Sequence, residues 1–185
     1  CSQQDWRRAA RAYREAIALR PDNPTAYFNL GNTLAISGHY AEAAQRCLEA
    51  KERWPVGSED WADATAAAFE MLKTKECAEV AKPEWWNDEE LKALSARVVR
   101  AAPNNMASNS MRAWALSGLR IVSAQGAVGE DGVAWVAWEA GPRSVAEIME
   151  AAAHFDLVAA LCAAPVVTAE LASFADSCRR QAEAM

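Results

Sequence analysis

The 185-residue chain is poor in the residues from which active sites and cross-linked scaffolds are usually built. It has two histidines, His39 and His154, and five cysteines with no CxxC pair among them. That inventory supports neither a zinc cage nor a dense disulfide framework. Cys162 and Cys178, if carried on antiparallel helices joined at Pro165, stand on the order of 18 Å apart at about 1.5 Å of rise per residue. They are too distant to bridge. Buried free thiols in an intracellular reducing compartment are the expectation. The chain also lacks a basic excess: its formal charge is −6, which argues against broad affinity for nucleic acid or anionic lipid. No run approaches the roughly 18 apolar residues of a membrane span, so membrane insertion is not expected. An initiator methionine and a signal-peptide pattern are both missing before helical periodicity begins, which reads as an excised or processed piece of a longer chain.

Catalytic constellations are equally thin. His39 falls at a turn and His154 in an alanine-rich helical stretch, and neither has a serine or cysteine elbow beside it. Glu89 with Glu90, and Asp60 with Asp63, are paired carboxylates. Nothing around them promises the desolvation that acid–base work needs. The stretch Gly126-Ala127-Val128-Gly129-Glu130-Asp131-Gly132 lacks the lysine and the preceding strand of a phosphate loop. No catalytic residue, metal ligand or cofactor site is assigned.

What the chain does have is apolar content, 52 %, enough to exclude general disorder and to build a sizeable core. Its charge is partitioned. Residues 1–20 hold five arginines (Arg7, Arg8, Arg11, Arg14, Arg20) against Asp5 and Glu15, whereas residues 59–90 hold ten acids against three lysines. The organising stretch is Pro24–Pro55. Two amphipathic helical patterns flank a Ser37-Gly38-His39 turn, with small residues (Gly31, Ala43, Ala50) where helices must approach and larger ones (Tyr27, Leu30, Leu34, Tyr40) between them. Leu30-Gly31, Gly38, Tyr40, Ala43, Cys47, Ala50 and Pro55 stand at fixed offsets. This stretch resembles a tetratricopeptide repeat, the ~34-residue helix–turn–helix unit. The resemblance implies an all-α fold, a right-handed α–α superhelical solenoid of tetratricopeptide-like helix pairs.

Extended along residues 1–185, the resemblance divides a single solenoid as follows. Residues 5–21 form the second helix of a truncated repeat, with Trp6, Ala9, Tyr13, Ala16 and Leu19 on its apolar side. Residues 24–55 are the clear repeat, with Asn23 as cap and Pro24 in the first turn. Residues 58–103 are a degenerate repeat: Ser58 caps a helix running through Ala64, Ala68 and Met71 toward Ala81. Pro83 stops it, and Asn87 or Asp88 caps a partner from Asp88 to Ala101. Residues 106–165 are a divergent repeat with an insertion at 120–143, whose apolar side after Ser144 reads Ile148, Ala152, Phe155, Ala159 and Leu161. Residues 166–185 form a capping helix with a polar outer side, as solenoids require.

Function follows from the resemblance. The family's first helices line a concave groove, which here assigns Thr25, Phe28, Asn32 and Ile36, then Glu59, Ala62, Asp63 and Ala66, with Asn29 alongside to bond a peptide backbone. Some relatives clamp a carboxylate with asparagines and basic residues. Asn29 and Asn32 fit that pattern in part, but Glu59 and Asp63 occupy the basic positions and repel a carboxylate. A neutral to basic protein or peptide segment is the expected partner. Of the eight tryptophans, Trp6, Trp61 and Trp114 read as core. Trp85 and Trp86 occupy a joint in which the rings diverge and one stays exposed unless a partner covers it. Trp135 and Trp138 form one apolar patch. The expectation is a non-catalytic interaction scaffold or adaptor in a multi-protein assembly. The alternative is a regulatory or substrate-presenting arm of a larger enzyme whose catalytic part lies elsewhere in the chain.

Overall fold

The computed structural model describes residues 3–118 and 140–185, and the regular elements among them are all helical. They group into two compact units, residues 1–82 and 83–185. The first contains α1 (Gln3–Leu19), α2 (Pro24–Ile36), α3 (Tyr40–Arg53), α4 (Glu59–Leu72) and one 3-10 turn at Lys75–Cys77. Asn23 caps α2 by accepting the Thr25 N–H at 3.2 Å, and Ser58 caps α4 by accepting the Trp61 N–H at 3.2 Å. Each bond satisfies an amide that the helix itself leaves without a partner. Gly38 turns the chain between α2 and α3 at φ 81°, a left-handed conformation that costs glycine little.

Consecutive helices of this unit pack on one another, α1 on α2, α2 on α3 and α3 on α4. The α2–α3 approach is so close that a Cβ on Gly31 would stand 2.6 Å from Cys47 Sγ and 3.1 Å from the Ala43 carbonyl oxygen. Ala43, Ala44, Cys47 and Ala50 present α3 with a buried face of little volume. Burial pushes the Cys47 thiol up to about 12, so it stays protonated and packs as a small apolar group. Tyr27, Ala50 and Ala64 form a core cluster with Ile17, Phe28 and Trp54 against it, drawing all four helices together. Arg53 lies 4.1 Å over the Tyr27 ring and donates to the Pro21 carbonyl at 3.1 Å, which pins the α1–α2 loop to α3.

Two details depart from the sequence reading. Leu19 is 82 % exposed, and Ile17 takes the inward place on α1; counting i, i+3, i+7 from Ala10 leads through Tyr13 to Ile17. And α4 stops at Leu72 rather than continuing toward Ala81. Thr74 Oγ1 donates to the Met71 carbonyl at 2.7 Å, and the Lys82 ammonium donates to the Leu72 carbonyl at 2.9 Å and the Cys77 carbonyl at 2.6 Å. These side chains take the terminal carbonyls that another helical turn would have used.

The second unit contains α5 (Asp88–Ala101), α6 (Met106–Ser117), α7 (Val145–Leu161) and α8 (Pro165–Glu183), again packed consecutively. Asn87, Asn105 and Ser144 cap the first three, the last with a reciprocal Glu147 bond. Trp114 of α6, Phe155 of α7 and Phe174 of α8 meet with centroid distances of 5.2, 5.0 and 5.6 Å, in the tilted and edge geometries that aromatic quadrupoles favour. Trp61 and Trp114 are buried as expected, and Trp6 is half-buried. On α7, Val158 is buried and Leu161 exposed, so the inward face turns away from the expected Leu161.

Arg143, buried just before α7, ties this unit together. Its Nη1 and Nη2 donate to Asp88 Oδ2 and Oδ1 at 2.9 and 2.5 Å, and further bonds go to the Leu116, Ala115, Gly141 and Pro142 carbonyls at 2.9, 3.0, 2.9 and 3.5 Å. Burial pushes the Asp88 carboxyl up, but the Arg143 bonds and charge, Lys92 and the Gly141 amide together hold it below its usual range. Fully buried Asn109 anchors a second polar cluster. Its amide donates to the Pro103 and Asn105 carbonyls, both at 2.8 Å, which leaves Oδ1 to accept from His154 Nδ1 at 2.8 Å. His154 is thus a packed histidine with its proton on Nδ1. Desolvation lowers its affinity for a second proton, with Glu150 pulling the other way and Arg112 adding to the decrease.

Candidate functional site

The candidate surface belongs to α2 and α4. On α2, Ala26, Tyr27, Leu30, Gly31, Thr33 and Leu34 are buried. Thr25 and Ile36 are exposed, and Phe28, Asn29 and Asn32 are half-buried. The spacing 25–28/29–32–36 is one helical stripe, and these residues lie outside the packed face of α2. Phe28 is held edge-on against Trp54 at 5.5 Å, a partner the sequence reading did not anticipate. The Asn29 carbonyl accepts from Thr33 Oγ1 at 2.7 Å.

On α4 the division is different from the expected one. Ala62 and Ala66 are fully buried and present nothing to a ligand. The residues left open or half-buried are Glu59, Asp60, Asp63, Ala67 and Glu70. The stripe therefore runs 59/60–63–67–70, a register that follows once Trp61, Ala64 and Ala68 are set inward. Asp60 and Glu70 were missed, and Glu70 pairs with Lys73 at 2.7 Å. Burial, with the negative charges of Glu59 and Asp60 adding to it, raises the Asp63 carboxyl above its ordinary value. A cation placed there relieves both costs at once. The structure packs α4 on α3 and brings it into contact with α2.

Trp85 and Trp86 lie in the second unit, ahead of α5. Their rings do not diverge: the centroids are 5.7 Å apart at an interplanar angle of 52°, and both are half-buried, so neither is left exposed. The Trp86 N–H donates to the Pro83 carbonyl at 2.9 Å. That turn removes the opposed side-chain directions that a helix or strand would impose on neighbours. Trp135 and Trp138 lie outside the described residues.

The histidines are accounted for by structure. His39 is exposed with Nδ1 3.0 Å from the Ser37 carbonyl, and His154 is packed on Asn109. Among the described residues no group of His, Cys, Asp or Glu is arranged to hold a metal, and no helix is long and apolar enough to cross a membrane. Cys47, Cys77 and Cys178 are buried free thiols, and Cys162 is half-buried and free.

Residues 2–58, from the start of α1 to the cap of α4, match the family model of the tetratricopeptide repeat. No curated protein matches the chain. The matched repeat is a non-catalytic interaction unit, one whose stacking creates extended binding surfaces.

Proposed function

We propose, from the tetratricopeptide repeat matched by residues 2–58, that this chain is a protein-binding scaffold or adaptor within a larger assembly. The right-handed superhelical winding of the family is proposed for its helix pairs. The observation that carries the reading is the split of α2 into a packed face and an open stripe, Thr25, Phe28, Asn29, Asn32 and Ile36, inside the matched segment. Glu59 and Asp63 of α4 extend that stripe into one groove for a peptide. An apolar side chain covers Ile36 and Phe28, the asparagines bond its backbone, and a lysine or arginine of the peptide meets Asp63. A neutral to basic segment is the proposed partner class because Glu59, Asp60 and Asp63 set negative charge along the α4 stripe, where burial and the two neighbouring acids raise the Asp63 carboxyl.

Trp85 and Trp86 are proposed as a further partner contact, since paired indoles with surface remaining are frequent anchors. Trp135 and Trp138 are proposed in the same role from sequence alone. A reducing compartment is proposed from the burial of three thiols without a bridge.

Titration of a short lysine-bearing peptide tests the groove. Lysine at both Glu59 and Asp63 is expected to weaken it about tenfold or more, or ~1.4 kcal/mol, and to flatten its salt dependence. Indifference to both changes places the peptide elsewhere. Alanine at Trp85 or Trp86 should cost about 1–3 kcal/mol of native-partner affinity; a loss of folding stability with affinity intact makes the pair internal packing only.

A further inference from the structure

A recess separate from the α2–α4 stripe opens where the first half of α1 meets the turn between α2 and α3. Its volume is about 200 Å³, and Trp6, Arg7, Ala10, Arg14, Leu34 and His39 line it. The floor is apolar: Ala10 and Leu34 are buried and Trp6 is half-buried. The rim is cationic. Arg7 is exposed, with no acidic side chain paired to it among the described residues. Arg14 spends Nη2 on Glu42, at 3.0 and 3.1 Å, while its side chain stays 51 % exposed. His39 adds no donor to this pair: its Nδ1 faces the Ser37 carbonyl, which can only accept, so that nitrogen's proton is spent there. Arg7 and Arg14 are seven positions apart, two helical turns on one side of α1, roughly 10 Å at the helical rise.

We propose that this recess is a second docking point, selective for an acidic peptide segment in which carboxylates flank one apolar side chain. The fork of a guanidinium matches a carboxylate in charge and geometry. Two such groups carried two turns apart on α1, with an apolar floor between them, select a carboxylate–apolar–carboxylate pattern. A uniformly charged polymer does not have that pattern, and the chain's overall −6 charge opposes a long polyanion at other points. The charge of this ligand is opposite to that of the neutral to basic segment proposed for the α2–α4 stripe. The two surfaces therefore take different segments and are separable by experiment.

The probe is a short fluorescein-labelled peptide of aspartate and glutamate with one central leucine, titrated against the full chain by fluorescence anisotropy. A version with serine for leucine and a single-stranded oligonucleotide of equal charge serve as comparisons. Arg7→Glu should weaken the leucine peptide about tenfold or more, while Arg8→Glu, exposed on the same helix but outside the recess, should change it less than about threefold. The serine peptide should bind several-fold more weakly. Equal losses for the two variants reduce the effect to diffuse attraction by a basic helix and overturn the proposal. So does an oligonucleotide that binds as tightly as the peptide, or a leucine peptide that does not bind.

Discussion

The two units are built on opposite solutions to the same problem of packing consecutive helices. In the first, α2 and α3 touch because side chains are nearly absent: Gly31 faces Cys47 and Ala43, and Ala50 packs with Tyr27. In the second, the helices are joined by large groups, with Trp114 meeting Phe155 and Phe174 edge to face and Arg143 reaching Asp88 and the carbonyls ending α6. Close approach through small residues leaves a periodic mark along the chain. A buried arginine that finds its acid 55 positions away leaves none. The tetratricopeptide match covers the first kind of packing, reaching residue 58.

The largest break in that contrast is expected from Asp88→Ala. It leaves the buried Arg143 guanidinium without its counter-charge and should cost the second unit about 3–5 kcal/mol. Hydrogen exchange of the α6 and α7 amides reads the loss, with the α2 and α3 amides as internal reference. Equal loss in both would erase the distinction.

A smaller loss, about 1–3 kcal/mol, is expected from Gly31→Ala, because the new methyl meets both a sulfur and a backbone oxygen. Here the α2 and α3 amides should lose protection. Adding Cys47→Ala should recover only part of it, since the Ala43 oxygen at 3.1 Å belongs to the backbone and cannot be trimmed. Full recovery would show that the sulfur alone sets the spacing.

Acid should separate the units more gently. Lys92, helped by bonds from Ser144, holds the Glu147 carboxyl down at about 2, and Asp88 is also held low. Both contribute stability that is complete above the ordinary carboxylate range and drains as pH falls through the folded-state values. His154 acts in the same direction over a higher window. The unfolded chain gains a proton as pH drops below about 6.5 while the folded site resists it. Asp63 acts oppositely: its raised value means the folded state takes up a proton first, so the first unit gains relative stability as pH falls through it. Exchange rates followed from pH 7 to pH 3 should show protection shifting from α6–α7 toward α2–α4. Glu147→Gln should flatten the lower part of the decline, and a decline that survives this change unaltered assigns it to other groups.

How much was legible in the sequence follows the same divide. Capping residues act within a few positions of themselves, so Asn23 and Ser58 were readable at once, as were the bounds of α5, while the choice between Asn87 and Asp88 as its cap fell to the structure. The packed face of α2 was readable because Gly31 and its alanine partners set the register. On α4, where alanines stand on both faces, Ala62 and Ala66 were placed outward although they are buried, because alanine's small side chain does not mark a face. The end of α4 depends on Lys82, ten residues beyond Leu72, and the paired rings of Trp85 and Trp86 depend on a turn. Neither follows from periodicity.

The account rests on the open stripe of the matched repeat being the peptide surface. Amide chemical-shift mapping of the full chain, titrated with a short lysine-bearing peptide, addresses that claim directly. The shifts should fall on Thr25, Asn29, Asn32, Ile36, Glu59 and Asp63, while Leu30 and Ala43, buried within the α2–α3 contact, stay in place. Shifts absent from α2 and α4, or confined to the second unit, would contradict it.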